Sequence, residues 1–156
     1  MKNTFKRSGA ALISLVLLLV LAVSAGAASS QNVGVKFWKE RSDKESMANN
    51  GIDSNATLTR QANGTYTLTL PVMQVSKLGV TGYLSGLTIG DVTYDGTLTG
   101  DFNKATAVLT IKNLPASVLT GSDVNKSVLV TCNIQMDLQV LGEINTSARM
   151  CIWNQK

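Results

Sequence analysis

The clearest pattern in the chain is an alternation of apolar and polar residues near its C-terminus. From Val128 to Val140 every even position is apolar, and polar residues occupy most odd positions. Such alternation is typical of a strand with one face in a core and the other in water. Gly142–Asn145 supplies turn residues, and the residues from Thr146 to Trp153 indicate another strand. We therefore expect a β-hairpin at this end of the chain.

Shorter alternating runs, separated by turn residues, occupy much of the remaining sequence. In Ala56–Leu70 the dipeptide Asn63-Gly64 is the strongest short hairpin signal, and a three-residue loop at 62–64 places Leu58 and Leu68 on one face. Residues 28–32 read as a frayed start. Further strands are predicted at Val33–Lys39, Gly79–Ile89, Asp91–Leu98 and Ala105–Ile111.

The charged segment Glu40–Asn50 lacks a strand pattern. A short helical turn is predicted within Asp43–Asn50, with Ser42 or Asp43 as its N-cap, and we expect helix nowhere else in the mature chain. About eight short strands without a long helix predict an all-β fold, specifically an immunoglobulin-like antiparallel β-sandwich with a short helical lip.

The N-terminal segment has the organisation of a secretory signal peptide. A basic start at residues 2–7 precedes the apolar run Ala10–Val23, and an A-x-A site ends at Ala27. The run is short for a transmembrane helix, although an uncleaved anchor is the alternative. We expect a signal peptide over residues 1–27 and one secreted, extracellular domain over residues 28–156, without a membrane span after cleavage.

Charge and composition narrow the possible functions. Removal of Lys2, Lys6 and Arg7 with the signal peptide lowers the formal net charge from +4 to +1, and no dense basic cluster remains, so nucleic-acid binding is not indicated. The sequence contains no histidine, the usual general base and zinc ligand. Neither a nucleophile elbow nor a phosphate-binding glycine loop is present. We therefore do not expect an enzyme.

Sulfur-containing residues are the chemistry that remains. Cys132 and Cys151 both lie in the predicted terminal hairpin, where they form either one disulfide or two buried free thiols. Methionine in a β-sandwich normally fills the core, and Met136 fits that role. Met47 fits it less well because its segment is polar. A thioether can also be an axial ligand of haem iron, which makes haem a candidate cofactor.

The sequence resembles the NEAT family, whose members are secreted or wall-attached bacterial β-sandwich domains that bind haem or haemoproteins. The resemblance covers Val33–Trp153 and rests on three short features. The first is Ser46-Met47-Ala48-Asn49 after a strand, similar to the family's lip segment. The second is the Ala56–Leu70 hairpin followed by Lys77–Tyr83. The third is the terminal hairpin, which in the family carries Tyr-x-x-x-Tyr.

The chain departs from the family at that last motif, because Thr146 and Met150 stand at the matching positions. Similar streptococcal surface haem proteins hold iron between two methionines. The resemblance thus implies haem as cofactor, bound by Ser46, Met47, Thr146 and Met150, with Met47 and Met150 as iron ligands. Lys44 and Ser46 would contact the propionates.

The function implied is haem or iron capture or relay at the bacterial cell exterior, with haem, a haemoprotein or another haem-relay protein as partner. The alternative is a haem-free extracellular module that recognises a protein or cell-surface partner through its loops.

Overall fold

The computed structural model describes residues 28–77, 79–137 and 142–156, which form nine β-strands. The predicted signal peptide therefore lies outside the described residues, as do residues 138–141 at the predicted end of one strand. In these described ranges, no helix has the length and apolarity needed to cross a membrane. The strands are β1 (Ser29–Lys39), β2 (Asn55–Arg60), β3 (Tyr66–Pro71), β4 (Val75–Lys77), β5 (Val80–Ile89), β6 (Val92–Thr99), β7 (Val108–Leu114), β8 (Val128–Met136) and β9 (Glu143–Asn154).

All of the strand pairings are antiparallel. Hydrogen bonds run in the order β5-β6-β7-β3-β2-β1-β9-β8, and β8 then pairs with β5, so eight strands close into one continuous sheet. Strand β4 adds an edge beside β5. The prediction of an all-β antiparallel fold is confirmed, but one closed sheet replaces the two separate sheets of a simple sandwich. Closure occurs because the long strand β5 pairs with both β6 and β8.

The hairpin of β2 and β3 has the predicted geometry. Leu58 pairs directly with Leu68, and both are fully buried. The amide of Gln61 donates to the carbonyl of Thr65 at 2.8 Å, closing the three-residue loop, and Gly64 has φ +83. Glycine adopts this left-handed conformation without the steric cost that other residues meet.

Several features differ from the sequence prediction. Strand β9 begins at Glu143 instead of Thr146, because residues 143–145, which were expected to form the turn, pair with β8. Strand β1 begins at Ser29 instead of Val33, because residues 29–32 pair with β2. Strand β7 begins at Val108, because a short helical turn precedes it and ends at Ala105 with φ 53. Helix is also not confined to the charged segment, since single 3₁₀ turns occur at Phe102–Lys104, Ala116–Val118 and Val124–Lys126.

The core lies inside the closed sheet and is built from inward-facing side chains of β1, β2, β3, β5, β7, β8 and β9, with partly buried Tyr94 and Leu98 of β6 packed against them. Its burial provides the main stabilising term, at about 25 cal/mol per Å² of apolar surface removed from water. The largest fully buried side chains are Phe37, Leu58, Leu68, Leu70, Leu87, Leu109, Ile111, Leu114, Met150 and Ile152.

The register of β8 and β9 settles the state of the two cysteines. Cys132 pairs with Thr146, whereas Cys151 lies beyond the pair of Val128 with Met150 and is opposite Lys36 of β1. The two thiols are therefore far apart along the hairpin. Both are free and buried, so the structure favours free thiols over the disulfide.

Candidate functional site

One end of the closed sheet contains an apolar cleft of about 330 Å³. Three parts of the chain form its walls: a segment after β1, the adjoining strands β4 and β5, and the hairpin of β8 and β9. Such a volume falls within the range of small-molecule sites, about 300–1,000 Å³. The lining residues are Ser46, Met47, Ala48, Gly51, Val75, Lys77, Val80, Gly82, Tyr83, Leu84, Cys132, Ile134, Met136 and Thr146.

The first wall is a 3₁₀ helix, Met47–Gly51, which together with its N-cap Ser46 we call the lip. Ser46 has an extended backbone, and its Oγ accepts a hydrogen bond from the Ala48 amide at 3.3 Å. The predicted caps, Ser42 and Asp43, are wrong. The carboxylate of Asp43 instead accepts a hydrogen bond at 2.7 Å from Arg149, which lies on β9.

Asn49 fixes the lip to strand β1. Its Oδ1 accepts from the amide of Phe37 at 2.8 Å, and its Nδ2 donates to the carbonyl of Phe37 at 2.8 Å. The Ser46 amide donates to the same carbonyl at 3.0 Å. Because Phe37 is fully buried, these hydrogen bonds attach the lip to a core residue of β1.

Arg149 holds the loop between β1 and the lip. Its guanidinium donates to the carbonyls of Lys39 at 3.1 Å and Ser42 at 2.9 Å, in addition to Asp43. Three hydrogen bonds from one planar group set the path of the chain that leads into the lip. This wall of the cleft is therefore formed before any ligand binds.

The opposite wall depends on Gly82 of β5, which pairs with Met136 of β8. A Cβ atom at Gly82 would lie 2.7 Å from the Met136 Sδ and 2.9 Å from the carbonyl oxygen of Gln135. The glycine therefore leaves the space that the thioether of Met136 occupies. Met136, expected from the sequence to fill the core, is half-buried and lines the cleft.

The structure brings together three of the four predicted site residues. Ser46 and Met47 lie on the lip and Thr146 lies on β9, and all three line the cleft. Met47 is 53% exposed. Lys44, expected at the mouth, is exposed but does not line the cleft, where Lys77 lies instead, with its Nζ 3.7 Å from the Met47 Sδ.

Met150, the fourth predicted residue, lies elsewhere. It is 0% exposed and belongs to the core. Strand β9 runs between β1 and β8, and Met150 sits opposite Phe37 on one side and Val128 on the other. This position is four residues deeper in the sheet than Thr146, so the structure does not place Met47 and Met150 on facing walls.

The cleft residues on β8 were on the predicted inward face, but the alternation did not show which of them reach its open end. Cys132, Ile134 and Met136 all line the cleft. The sequence did contain a signal for their position at the open end, because these residues approach the turn of the hairpin, where the core must end. Strand β4 was not predicted, so Val75 was missed as well.

Burial determines the ionisation state of Cys132, which lies at the floor of the cleft. Loss of hydration raises the pKa of the Cys132 thiol from 9.0 to about 12, so it stays protonated and neutral. Within residues 28–77, 79–137 and 142–156, no three His, Cys, Asp or Glu side chains cluster as a metal site. The groups that offer a lone pair to a bound ligand are mainly thioethers and hydroxyls, and the surface around them suits a flat apolar molecule.

The fold and the cleft define a class of protein: a closed antiparallel β-domain with an apolar cleft between a 3₁₀ lip and a terminal hairpin. The structure is similar to the NEAT5 domain of IsdX2, a B. anthracis hemophore, solved in complex with heme. The TM-score is 0.51 at 11% sequence identity, and the match covers 83% of this chain and 98% of that chain. A point variant of that domain in complex with heme gives the same values. This chain has the NEAT fold.

No family model matches the sequence, and no match was found among the curated proteins.

Proposed function

We propose that this protein binds haem in the cleft and acts as a non-enzymatic carrier that captures or relays haem outside the bacterial cell. The observation that carries the proposal is an apolar cleft between the lip and the terminal hairpin of a NEAT fold. In this proposal the closed sheet is a flattened, immunoglobulin-like sandwich. The mature domain covers residues 28–156 after a signal peptide has been removed.

The chemistry of the cleft supports this choice of ligand. Val75, Val80 and Ile134 offer apolar surface to the porphyrin ring, and burial of that surface contributes about 25 cal/mol per Å². Haem supplies an iron centre and two carboxylates when bound. The iron needs donor atoms inside the cleft, and the two carboxylates need cations or hydroxyls at its mouth.

The mouth has suitable groups for the propionates. The hydroxyl of Ser46 accepts one hydrogen bond from Ala48 and still has its own hydrogen to donate. Lys77 brings a positive charge next to Met47, and Thr146 adds a second hydroxyl. Charge-assisted hydrogen bonds of this kind are stronger than neutral ones. On the lip, Met47 remains our proposed iron donor.

A hemin titration of the purified protein tests the proposal. The wild type should give a saturable Soret band at a 1:1 ratio. Val80→Glu places a carboxylate in the apolar cleft and should weaken binding by about a hundredfold or more, because the charge loses hydration beside the ring. Val92→Glu is the matched control, since Val92 is 52% exposed on β6 and lies outside the cleft.

Equal affinities of the two variants would contradict binding in this cleft. A wild type without a saturable hemin spectrum would reject the proposal and favour a haem-free module that recognises a protein or cell-surface partner.

A further inference from the structure

The strand wall of the cleft offers one donor that suits haem iron. We propose that the Met136 thioether is the iron ligand from this wall, so that β8, and not β9, carries the ligand. The inference rests on the proposed haem function. Three observations lead to it: the sulfur position above Gly82, the deep burial of Met150, and the unsuitability of the other donors on this wall.

The position of the sulfur is fixed by a glycine. Gly82 and Met136 are directly opposite each other on β5 and β8, and a Cβ atom at Gly82 would be 2.7 Å from the Sδ. With any other residue at 82 the thioether would have to move. The glycine thus leaves room in β5 for the thioether, and both residues line the cleft.

Other potential donors on this wall are less suitable. Tyr83 also lines the cleft. It lies between Gly82 and Leu84, which are both buried, so alternation directs its ring to the opposite face of β5 from those two residues. There it packs on Phe102 with ring centroids 5.0 Å apart. Cys132 is 0% exposed at the floor of the cleft.

Thr146 and Lys77 are also poor candidates for an iron ligand. The neutral hydroxyl of Thr146 is a weak ligand, and this residue is exposed at the mouth. The ammonium of Lys77 has no lone pair to donate to a metal. Met136 is half-buried and lines the cleft, and its neutral thioether sulfur carries a lone pair.

Ligation by a neutral thioether should change the reduction potential of the haem iron, which can be measured. Methionine ligation raises the reduction potential of haem, because neutral sulfur stabilises the lower charge of ferrous iron. Removal of this sulfur should therefore lower the potential and change the absorption bands of the reduced complex. A purely structural role for Met136 would leave both unchanged when the side-chain volume is kept.

The test compares hemin complexes of the wild type, Met136→Leu and Met136→His with those of two controls. Leucine keeps the volume of methionine but has no donor, so Met136→Leu should fold normally. Met150→Leu is the control for a buried methionine, and Met73→Leu is the control for an exposed one outside the cleft. Circular dichroism confirms the fold of each variant, and spectra are recorded before and after reduction with dithionite.

Met136→Leu should lose the ferrous low-spin bands of the wild type and should release hemin about tenfold faster. Met136→His should restore a low-spin spectrum with shifted bands. Both controls should keep the wild-type spectrum. If the wild type binds hemin and Met136→Leu has the same spectra and potential, the ligand assignment is wrong while the proposed function stands. If the wild type does not bind hemin, the proposed function fails and the assignment fails with it.

Discussion

At the scale of single residues, burial changes the chemistry of Cys132. The thiol has no exposed surface, and loss of hydration raises its pKa to about 12. A pKa that is higher in the folded state than in the unfolded state links folding to pH. Below about pH 9 the thiol is protonated in both states, so its ionisation does not alter stability.

We predict that stability falls between about pH 9 and pH 12, because only the unfolded state releases this proton in that window. The slope should approach ~1.4 kcal/mol per pH unit from this group. Urea unfolding of the wild type and Cys132→Ala at pH 8 and pH 10 measures the difference. The wild type should lose more stability than the variant, and equal losses would contradict the assigned pKa.

A second prediction at this scale concerns Gly82. In Gly82→Ala the new Cβ meets the Met136 Sδ and the Gln135 carbonyl, and a backbone oxygen does not move as easily as a side chain. The substitution should lower the free energy of unfolding by about 1–3 kcal/mol and also weaken hemin binding. Chemical unfolding and a hemin titration check both effects, and unchanged values would mean that β5 and β8 are not packed closely here.

The two methionines show what the sequence could predict at this scale. Met150 was singled out through the family resemblance as an iron ligand, and Met136 was correctly placed on an inward face by alternation. Alternation could not distinguish them by depth, because depth depends on how far each lies from the end of the closed sheet. That distance follows from the pairing of β9 with both β1 and β8, which local sequence does not encode.

At the scale of elements, the lip is the part whose position matters most for the cleft. A single helical turn has little intrinsic stability, so it depends on its contacts with the rest of the fold. Asn49 supplies two of these contacts, because its side-chain amide forms hydrogen bonds with both the amide and the carbonyl of Phe37. The sequence indicated a short helix in this segment. It did not indicate the two hydrogen bonds between Asn49 and Phe37, because these residues are twelve positions apart.

We predict that Asn49→Ala destabilises the protein by about 1–3 kcal/mol, because the polar backbone atoms of Phe37 lose their partners. It should also weaken hemin binding by releasing the lip. Asn50→Ala is the matched control, since Asn50 is exposed in the same helix. Thermal unfolding and hemin titration of both variants provide the measurement, and similar behaviour of the two would show that the lip does not depend on Asn49.

At the scale of the whole molecule, the local signals identified most of the strands and the β2–β3 hairpin. They did not predict that the sheet closes through β5 and β8, which are 48 residues apart at Ser85 and Asn133. Closure of this kind depends on long-range pairing, and its bulge at Leu84 and Gly86 adjusts the curvature. It also creates the open end of the sheet where the cleft lies.

The central claim is that haem binds between the lip and the strand wall, and hydrogen exchange with and without hemin tests it most directly. We predict slower exchange on hemin addition in Met47–Gly51 and in the neighbouring amides of β4, β5 and β8. Exchange in the remote turn Ala116–Val118 should not change. Protection elsewhere in the molecule, or none at all, would contradict the account.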